Sequence, residues 1–263
     1  RTFWEYMRFK LILTVNSEHS GNVLPVSYQY ELSSCIHRIL TDNKELYEQW
    51  LRMNGFLPEM SVKYRLLSIS NFYIPKIKVE TDRLFILSKR VQLWISCLPE
   101  RGTEDFIKAL FAGKILLIGD RHTQVELQVD DIIKTDMDSY PETLSYLSLS
   151  PIVFVHVRPN RSIEYVSPST PGYGEILLDH ILEKYRHFYG KDFSGDMNFN
   201  FELLSEPKRK GIFIKRFTKE ESKIIGYMYK FKLTLHPVLH QLIHNTGLGD
   251  KVNLGFGCIE ILE

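Results

Sequence analysis

Two stretches of the sequence carry side chains that can move a proton or hold a phosphate. The first contains His37. An imidazole, with an ordinary pKa of about 6.5, can act as base or acid at neutral pH. His37 follows Tyr30 by seven residues, which places both on one helical face, and Ser33 and Ser34 lie between them. Taken alone, the same position better suits a histidine packed at an interface between two domains. The second stretch is Gly247-Leu248-Gly249-Asp250-Lys251-Val252-Asn253-Leu254-Gly255-Phe256-Gly257. A turn with four glycines can bring backbone N–H groups against a phosphate while Lys251 adds charge, and it can also be only a tight connection. It is not a P-loop, because G-x-x-x-x-G-K-[ST] is absent and a helix precedes it. Nor does it fit G-x-G-x-x-G, since Val252 holds the third glycine position.

Three further groups bear on function. Between Pro207 and Lys232 the cations Lys208, Arg209, Lys210, Lys215, Arg216, Lys219, Lys223, Lys230 and Lys232 face only Glu220 and Glu221, with Tyr227, Tyr229 and Phe231 interleaved. A basic hairpin with aromatics suits phosphate neutralisation with base stacking, and as composition it also suits a solvated hairpin. His236, His240 and His244 recur every four residues, a spacing that can hold a metal ion. No acidic or Cys partner adjoins them, so a polar stripe near a nucleic acid is the expectation. Asp130, Asp131, Asp136 and Asp138 lack ligand spacing and read as a solvated interdomain linker; Trp50 and Trp94 read as core.

The elements that must position these residues follow from periodicity. Phe9, Leu11, Leu13 and Val15 alternate as in a half-buried strand. In Tyr28 to Leu40, the residues Leu32, Cys35, Ile36, Ile39 and Leu40 share a helical face. Asp42-Asn43 caps a second helix, Lys44 to Met53, which stops at Asn54-Gly55. Strands are expected over 66–73, 83–87 and 91–97, a helix over 103–111, and paired strands over 115–118 and 125–129. This β-α-β-β-α-β order is ferredoxin-like. After a polar boundary at Asp136 to Pro141 the order recurs: strand 152–157, helix 174–189, strand 199–204, a hairpin of 212–217 with 224–235, helix 237–245 and strand 256–262. The expected fold class is α+β, two tandem ferredoxin-like, RRM-like domains with antiparallel sheets, over 7–135 and 142–263.

Composition limits the rest. The chain has 263 residues, with 33 Lys and Arg against 32 Asp and Glu, which excludes a wholly basic nucleic-acid wrapper but not a local patch. Cys35, Cys97 and Cys258 lie far apart with no C-x-x-C, against a disulfide framework or a Cys-based zinc site. No apolar run approaches the roughly 18 residues of a membrane helix. A signal peptide is not expected, since Glu5 interrupts the first aromatic stretch. Met7 reads as a natural start, with Arg1 to Tyr6 a remnant of cloning or the tail of something longer. A reducing cytosol is the expected compartment.

The glycine-rich turn, continued to Cys258, resembles the C-terminal signature G-[IVLF]-G-x-K-x-S-x-G-F-G of the sixth Cas family in the RAMP superfamily, the CRISPR-associated endoribonucleases that process precursor CRISPR RNA. Asn253 stands where that pattern has Ser. Leu147-Ser148-Leu149-Ser150-Pro151-Ile152 resembles the opening of the family's second domain, and Pro25 to Ile36 the approach to its first helix, so the likeness spans Met7 to Glu263. The resemblance implies metal-independent cleavage without a cofactor, by 2′-OH attack leaving a 2′,3′-cyclic phosphate and a 5′-OH. By the same resemblance His37 falls where some members have a catalytic Tyr, Arg52 where the usual His stands, and Lys63 at a catalytic Lys position. The expected catalytic set is His37, Arg52, Lys63 and Tyr30. The expected RNA contacts are Gly247, Gly249, Lys251, Asn253, Gly255, Gly257, Lys208, Arg209, Lys210, Lys215 and Arg216. The implied partners are CRISPR repeat RNA and CRISPR effector or adaptation proteins, with the chain a monomer or homodimer. Two other readings stay open: a non-catalytic repeat-RNA scaffold, and the processing domain of a larger reverse transcriptase/integrase adaptation protein.

Overall fold

The computed structural model describes residues 8–135 and 139–262. The first part runs β1 (Arg8–Val15), α1 (Ser17–Ser20), β2 (Val23–Pro25), α2 (Gln29–Asp42), α3 (Lys44–Met53), β3 (Leu67–Ile69), β4 (Ile77–Glu80), β5 (Arg83–Ile86), β6 (Arg90–Cys97), α4 (Thr103–Phe111), β7 (Ile115–Gly119) and β8 (Gln124–Thr135). The alternation in β1 puts Phe9, Leu11 and Leu13 in the core. That strand is therefore central in an antiparallel sheet of order β3-β6-β1-β8-β7. Asp130 and Asp131 belong to β8, not to a linker: Asp131 pairs across from Ile12, and Asp130 accepts from the Thr14 hydroxyl. Met7, Asp136, Asp138 and Glu263, which bear on the expected domain limits, lie outside the described residues.

The second part runs β9 (Thr143–Ser148), β10 (Val155–Val157), β11 (Ile163–Tyr165), α5 (Tyr173–Tyr189), β12 (Asn200–Leu203), β13 (Lys208–Ile214), β14 (Ser222–Met228), β15 (Lys230–Thr234), α6 (Pro237–Thr246) and β16 (Ile259–Ile261). Its four-stranded sheet has the order β12-β15-β9-β16. With helices between the strands, both sheets follow the ferredoxin-like plan. Two expectations are corrected. The opening strand of this sheet is β9, not 152–157, because Leu144, Tyr146 and Ser148 turn inward on an otherwise polar run. The run 224–235 is two strands in two sheets. It breaks at Tyr229, whose N–H donates to Ser148 Oγ (2.8 Å) and whose ring is buried with its hydroxyl on Tyr173 (2.5 Å).

The two sheets share one apolar core. Arg8 of β1 crosses between them, its guanidinium 3.0 Å from Glu260 of β16 and donating to the His244 carbonyl at 3.3 Å. Helix α2 is fixed by Leu32, Cys35, Ile36 and Leu40, all buried. Burying such a side chain contributes roughly 1.5–3 kcal/mol relative to exposure, so the roll of α2 is set and His37, one residue past Ile36, must face outward. Trp50 is buried and stacked on Phe106, whereas Trp94 is only half-buried, its ring edge-on to Tyr73.

Candidate functional site

The outward face of α2 is the floor of a groove of 520 Å³. Tyr30, Ser33 and His37 lie along it, Leu117 and Gly119 of β7 form one wall, and Arg65, Asn253 and Leu254 form the other. The imidazole of His37 is exposed, and the Arg65 Nη2 donates to its Nδ1 at 3.1 Å. A guanidinium has no acceptor, so Nδ1 carries the lone pair and the proton of the neutral ring sits on Nε2. Partial burial, and then the Arg65 charge, hold the His37 pKa below its ordinary value. At neutral pH the ring is a neutral base. Arg65 also lies 3.4 Å from Ser33 Oγ, which donates to the Asn253 carbonyl at 2.7 Å. This chain of contacts joins α2, the segment before β3 and the glycine-rich turn.

Arg65 and Asn253 border two more recesses. One, of 410 Å³, opens between α2 and α3, with Leu40, Tyr47, Pro58 and Val62 in its walls and His37 at its mouth. The other, of 180 Å³, lies under the glycine-rich turn among Lys63, Lys184 and Lys251. Sequence reasoning missed Arg65, since nothing local distinguishes it from the neighbouring Lys63; its role comes from what packs around it.

The structure brings Tyr30, His37 and Asn253 to one groove and places Lys251 next door. Arg52 does not line any of these recesses: it points from the outer face of α3 and pairs with Glu48 at 3.2 Å. Lys63 is away from His37, in the recess under the turn, with its ammonium 2.6 Å from Glu183. Gly247, Gly249, Gly255 and Gly257 are buried, and Gly249 borders the recess under the turn. Their positive φ angles and close packing explain them: a Cβ on Gly255 would stand 2.8 Å from the Gln29 carbonyl of α2. The turn also spends N–H groups on the fold, Asp250 on Val153, Leu248 on Gly257 and Gly257 on Pro151. What it offers the groove is chiefly Lys251 and Asn253.

Lys208, Arg209 and Lys210 project from β13 as an exposed cationic edge. Lys215 is paired with Glu220 at 2.8 Å, and Arg216 stacks on Phe213 and reaches Asp82 at 3.7 Å, which spends part of their charge within the fold. The interleaved aromatics are not a stacking platform, because Tyr229 and Phe231 are core and Tyr227 is half-buried. The hairpin nevertheless reaches the groove, since Ile212, Ile214 and Phe256 form a small cluster against which Tyr30 and Leu254 pack.

The histidine stripe is also corrected. His240 and His244 are fully buried. Tyr146 donates to His240 Nδ1 (2.7 Å), whose Nε2 donates to the Glu142 carbonyl (2.8 Å). His244 Nδ1 meets the Tyr140 hydroxyl at 3.0 Å, and His236 caps α6 by accepting from Val238 N–H. Burial lowers the His240 pKa to about 4 and that of His244 well below its ordinary value. Among the described residues no three His, Cys, Asp or Glu side chains converge as a metal site, and no helix is long and apolar enough to cross a membrane. One titrating group in the groove was not anticipated. Glu31 is raised to about 7, first by burial and then by Asp120, and its Oε2 has no hydrogen-bond partner.

Residues 136–261 match the family model described as CRISPR associated protein Cas6, C-terminal. The C-terminal part of this chain is thus similar to the Cas6 C-terminal domain. A CRISPR-associated endoribonuclease-like Cas6 protein of Pyrococcus furiosus is 24% identical over 237 residues, 84% of this chain and 91% of that protein. Among solved structures, a Cas6-related gene product from Pyrococcus furiosus superposes with a TM-score of 0.79 at 22% identity, covering 98% of this chain and 99% of that one. A RAMP protein described as binding different RNA substrates follows at 0.78, also 22% identical, covering 98% and 100%. These likenesses establish that the Cas6 fold extends through both sheets.

Proposed function

We propose that the chain is a metal-independent endoribonuclease that cuts CRISPR repeat RNA within its precursor. The observation that carries this reading is the open imidazole of His37, held beside the Arg65 guanidinium in a groove to which the region similar to the Cas6 C-terminal domain contributes Asn253 and Leu254. Cleavage needs a base at the ribose 2′-OH, a proton for the leaving 5′ oxygen and a cation on the developing phosphorane. Arg65 is the cation at this position. As a phosphate draws the guanidinium, Nδ1 is released and His37 takes the 2′-OH proton. The 2′ oxygen bonds to phosphorus, the bond from phosphorus to the 5′ oxygen breaks, and Tyr30, on the same face of α2, supplies that oxygen's proton. The products are a 2′,3′-cyclic phosphate and a 5′-OH. Lys251, Asn253 and the edge Lys208, Arg209 and Lys210 bind the flanking phosphates.

The second reading, a repeat-RNA scaffold without cleavage, is favoured by one observation. Arg65 occupies the His37 lone pair, so the imidazole cannot act as base until it moves. One experiment separates the two. The purified chain is incubated with its repeat RNA and with the same RNA carrying 2′-deoxy at the cut. Cutting of the first alone establishes attack by the ribose, whereas tight binding with no cutting of either establishes the scaffold.

A further inference from the structure

Lys184 is a costly group to keep where it stands. It lies on α5 at 1% exposure, and its ammonium donates to the Gly247 carbonyl at 2.7 Å and to the Thr246 carbonyl and hydroxyl at 3.5 and 3.4 Å. No carboxylate among the described residues forms an ion pair with it. A buried ammonium loses its hydration, and three neutral oxygens replace that only in part. A methionine of similar length would fill the volume but leave the Thr246 and Gly247 carbonyls at the end of α6 without this donor, so the lysine caps α6 as well as bordering a recess. Lys184 lines the 180 Å³ recess together with Lys63, Arg65 and Lys251. Four cationic side chains thus surround a volume suited to a single phosphate; Lys63 is ion-paired with Glu183, and Asp250 acts on Lys184 and Lys251 from beyond ion-pair distance. Asp250 also borders the recess, but its Oδ2 accepts from the Val155 N–H at 2.8 Å.

We propose that this recess is a subsite for one phosphodiester of the bound RNA, with Lys184 as its floor, and that Lys184 takes up a proton as the phosphate arrives. The proposal rests on the RNA-binding reading above. Burial lowers the Lys184 pKa to about 7 in the unliganded protein, partly opposed by Asp250. An entering phosphate favours the charged ammonium and raises it again. The other groups facing this position are accounted for. On α5, His180 is pushed down to about 3 by burial, and Glu183 is held low by Lys63. On the segment before β3, Lys63 and Tyr64 are both raised, while Arg65 stays a cation. In the turn, burial raises the Asp250 carboxyl; on α6, burial holds His244 well below its ordinary value. The sign follows. Below pH 7 the ammonium is already charged and binding is tightest, and as pH rises above 7 binding must recruit a proton and weakens, by up to about tenfold per pH unit.

The test is calorimetry of the uncleavable 2′-deoxy repeat RNA at pH 7.5, in two buffers of different ionisation enthalpy, with protein carrying Glu31→Gln so that Glu31 does not report in the same window. Lys184→Met is compared in this background, and Asp250→Asn gives the share of the neighbouring carboxyl. The expected result is proton uptake of up to about three quarters of a proton per RNA with Lys184 at this pH and distinctly less with Met, together with a flat affinity above pH 7 for the Met variant. Equal uptake by both proteins overturns the subsite. If Lys184→Met does not fold, the Lys184 protein still decides, because binding without proton uptake overturns the proposal. Inorganic phosphate is titrated alongside. Proton-coupled phosphate binding in a protein that fails to bind the RNA would assign the recess to a small anion and refute the RNA reading separately.

Discussion

Replacing Arg65 with methionine tests the centre of the site. The substitution keeps length and apolar stem but removes both the donor to His37 Nδ1 (3.1 Å) and the longer contact to Ser33. Two consequences are expected. A preorganised donor aimed at charge developing in the transition state contributes about 10²–10³ in rate, about 2.7–4 kcal/mol. The groove is open to water, so the lower end applies and cleavage should fall by about 10². Ground-state binding should change less, because a single cation lost from a single-stranded complex flattens the slope of log affinity against log salt by only about 0.7. The second consequence is a shift in pH dependence. Arg65 is one of the two causes that hold the His37 pKa down, so its loss moves that pKa up. Cleavage requires the neutral imidazole, hence activity rises with pH through the His37 pKa and is flat above it. In the variant this acid limb should move to higher pH. Single-turnover cleavage from pH 5 to 8, with imidazole resonances followed by NMR, measures both effects. Wild-type rates with an unmoved acid limb would refute the assignment of Arg65.

Three other outcomes are expected. His37→Ala should abolish cleavage while leaving repeat-RNA affinity within a few fold, measured by gel assay and fluorescence anisotropy; undiminished cutting removes His37 from the mechanism. Gly255→Ala should lower stability by about 1–3 kcal/mol from backbone strain alone, since Gly255 has a φ of 96° and faces the Gln29 carbonyl. Thermal melting reads this, and an unchanged melting point would show that the turn does not depend on that close approach. Changing Lys208, Arg209 and Lys210 together to Ala should weaken binding and reduce the salt slope by about 2 for three phosphate contacts to a single strand. An unchanged slope would place the RNA elsewhere.

What could be read from the sequence was what local periodicity controls. The strict alternation of β1 and the apolar stripe of α2 gave both elements nearly to the residue, whereas whether His37 was open or packed at a domain interface was left for the structure to decide. Where polar residues are buried by distant partners, the pattern misled. β9 alternates Leu144 and Tyr146 with Thr and Ser, a weak signal beside the richer run 152–157. The spacing of His240 and His244 suggested a polar face, but Tyr146 and Tyr140 satisfy their rings inside the core. The glycines were legible as a special turn, whereas their reason, contact with α2 and with Val153, is a tertiary fact. Arg65 was invisible for the same cause: its partners Ser33 and His37 lie about thirty residues away, and Asn253, bonded to Ser33, lies at the far end of the chain.

The meeting of three recesses at a single guanidinium restricts the form of nucleic acid that can enter. In an A-form duplex the bases are stacked inward, and the backbone follows one smooth helical path. A strand that sends one phosphate beneath Lys251 and another past His37 must turn sharply over Arg65, and a purine or pyrimidine can drop into the hollow beside Tyr47 only if it has left its stack. On the proposed reading, the RNA around the cut would be an unpaired, bent stretch, and a repeat that folds on itself would have to present such a stretch or melt to provide one.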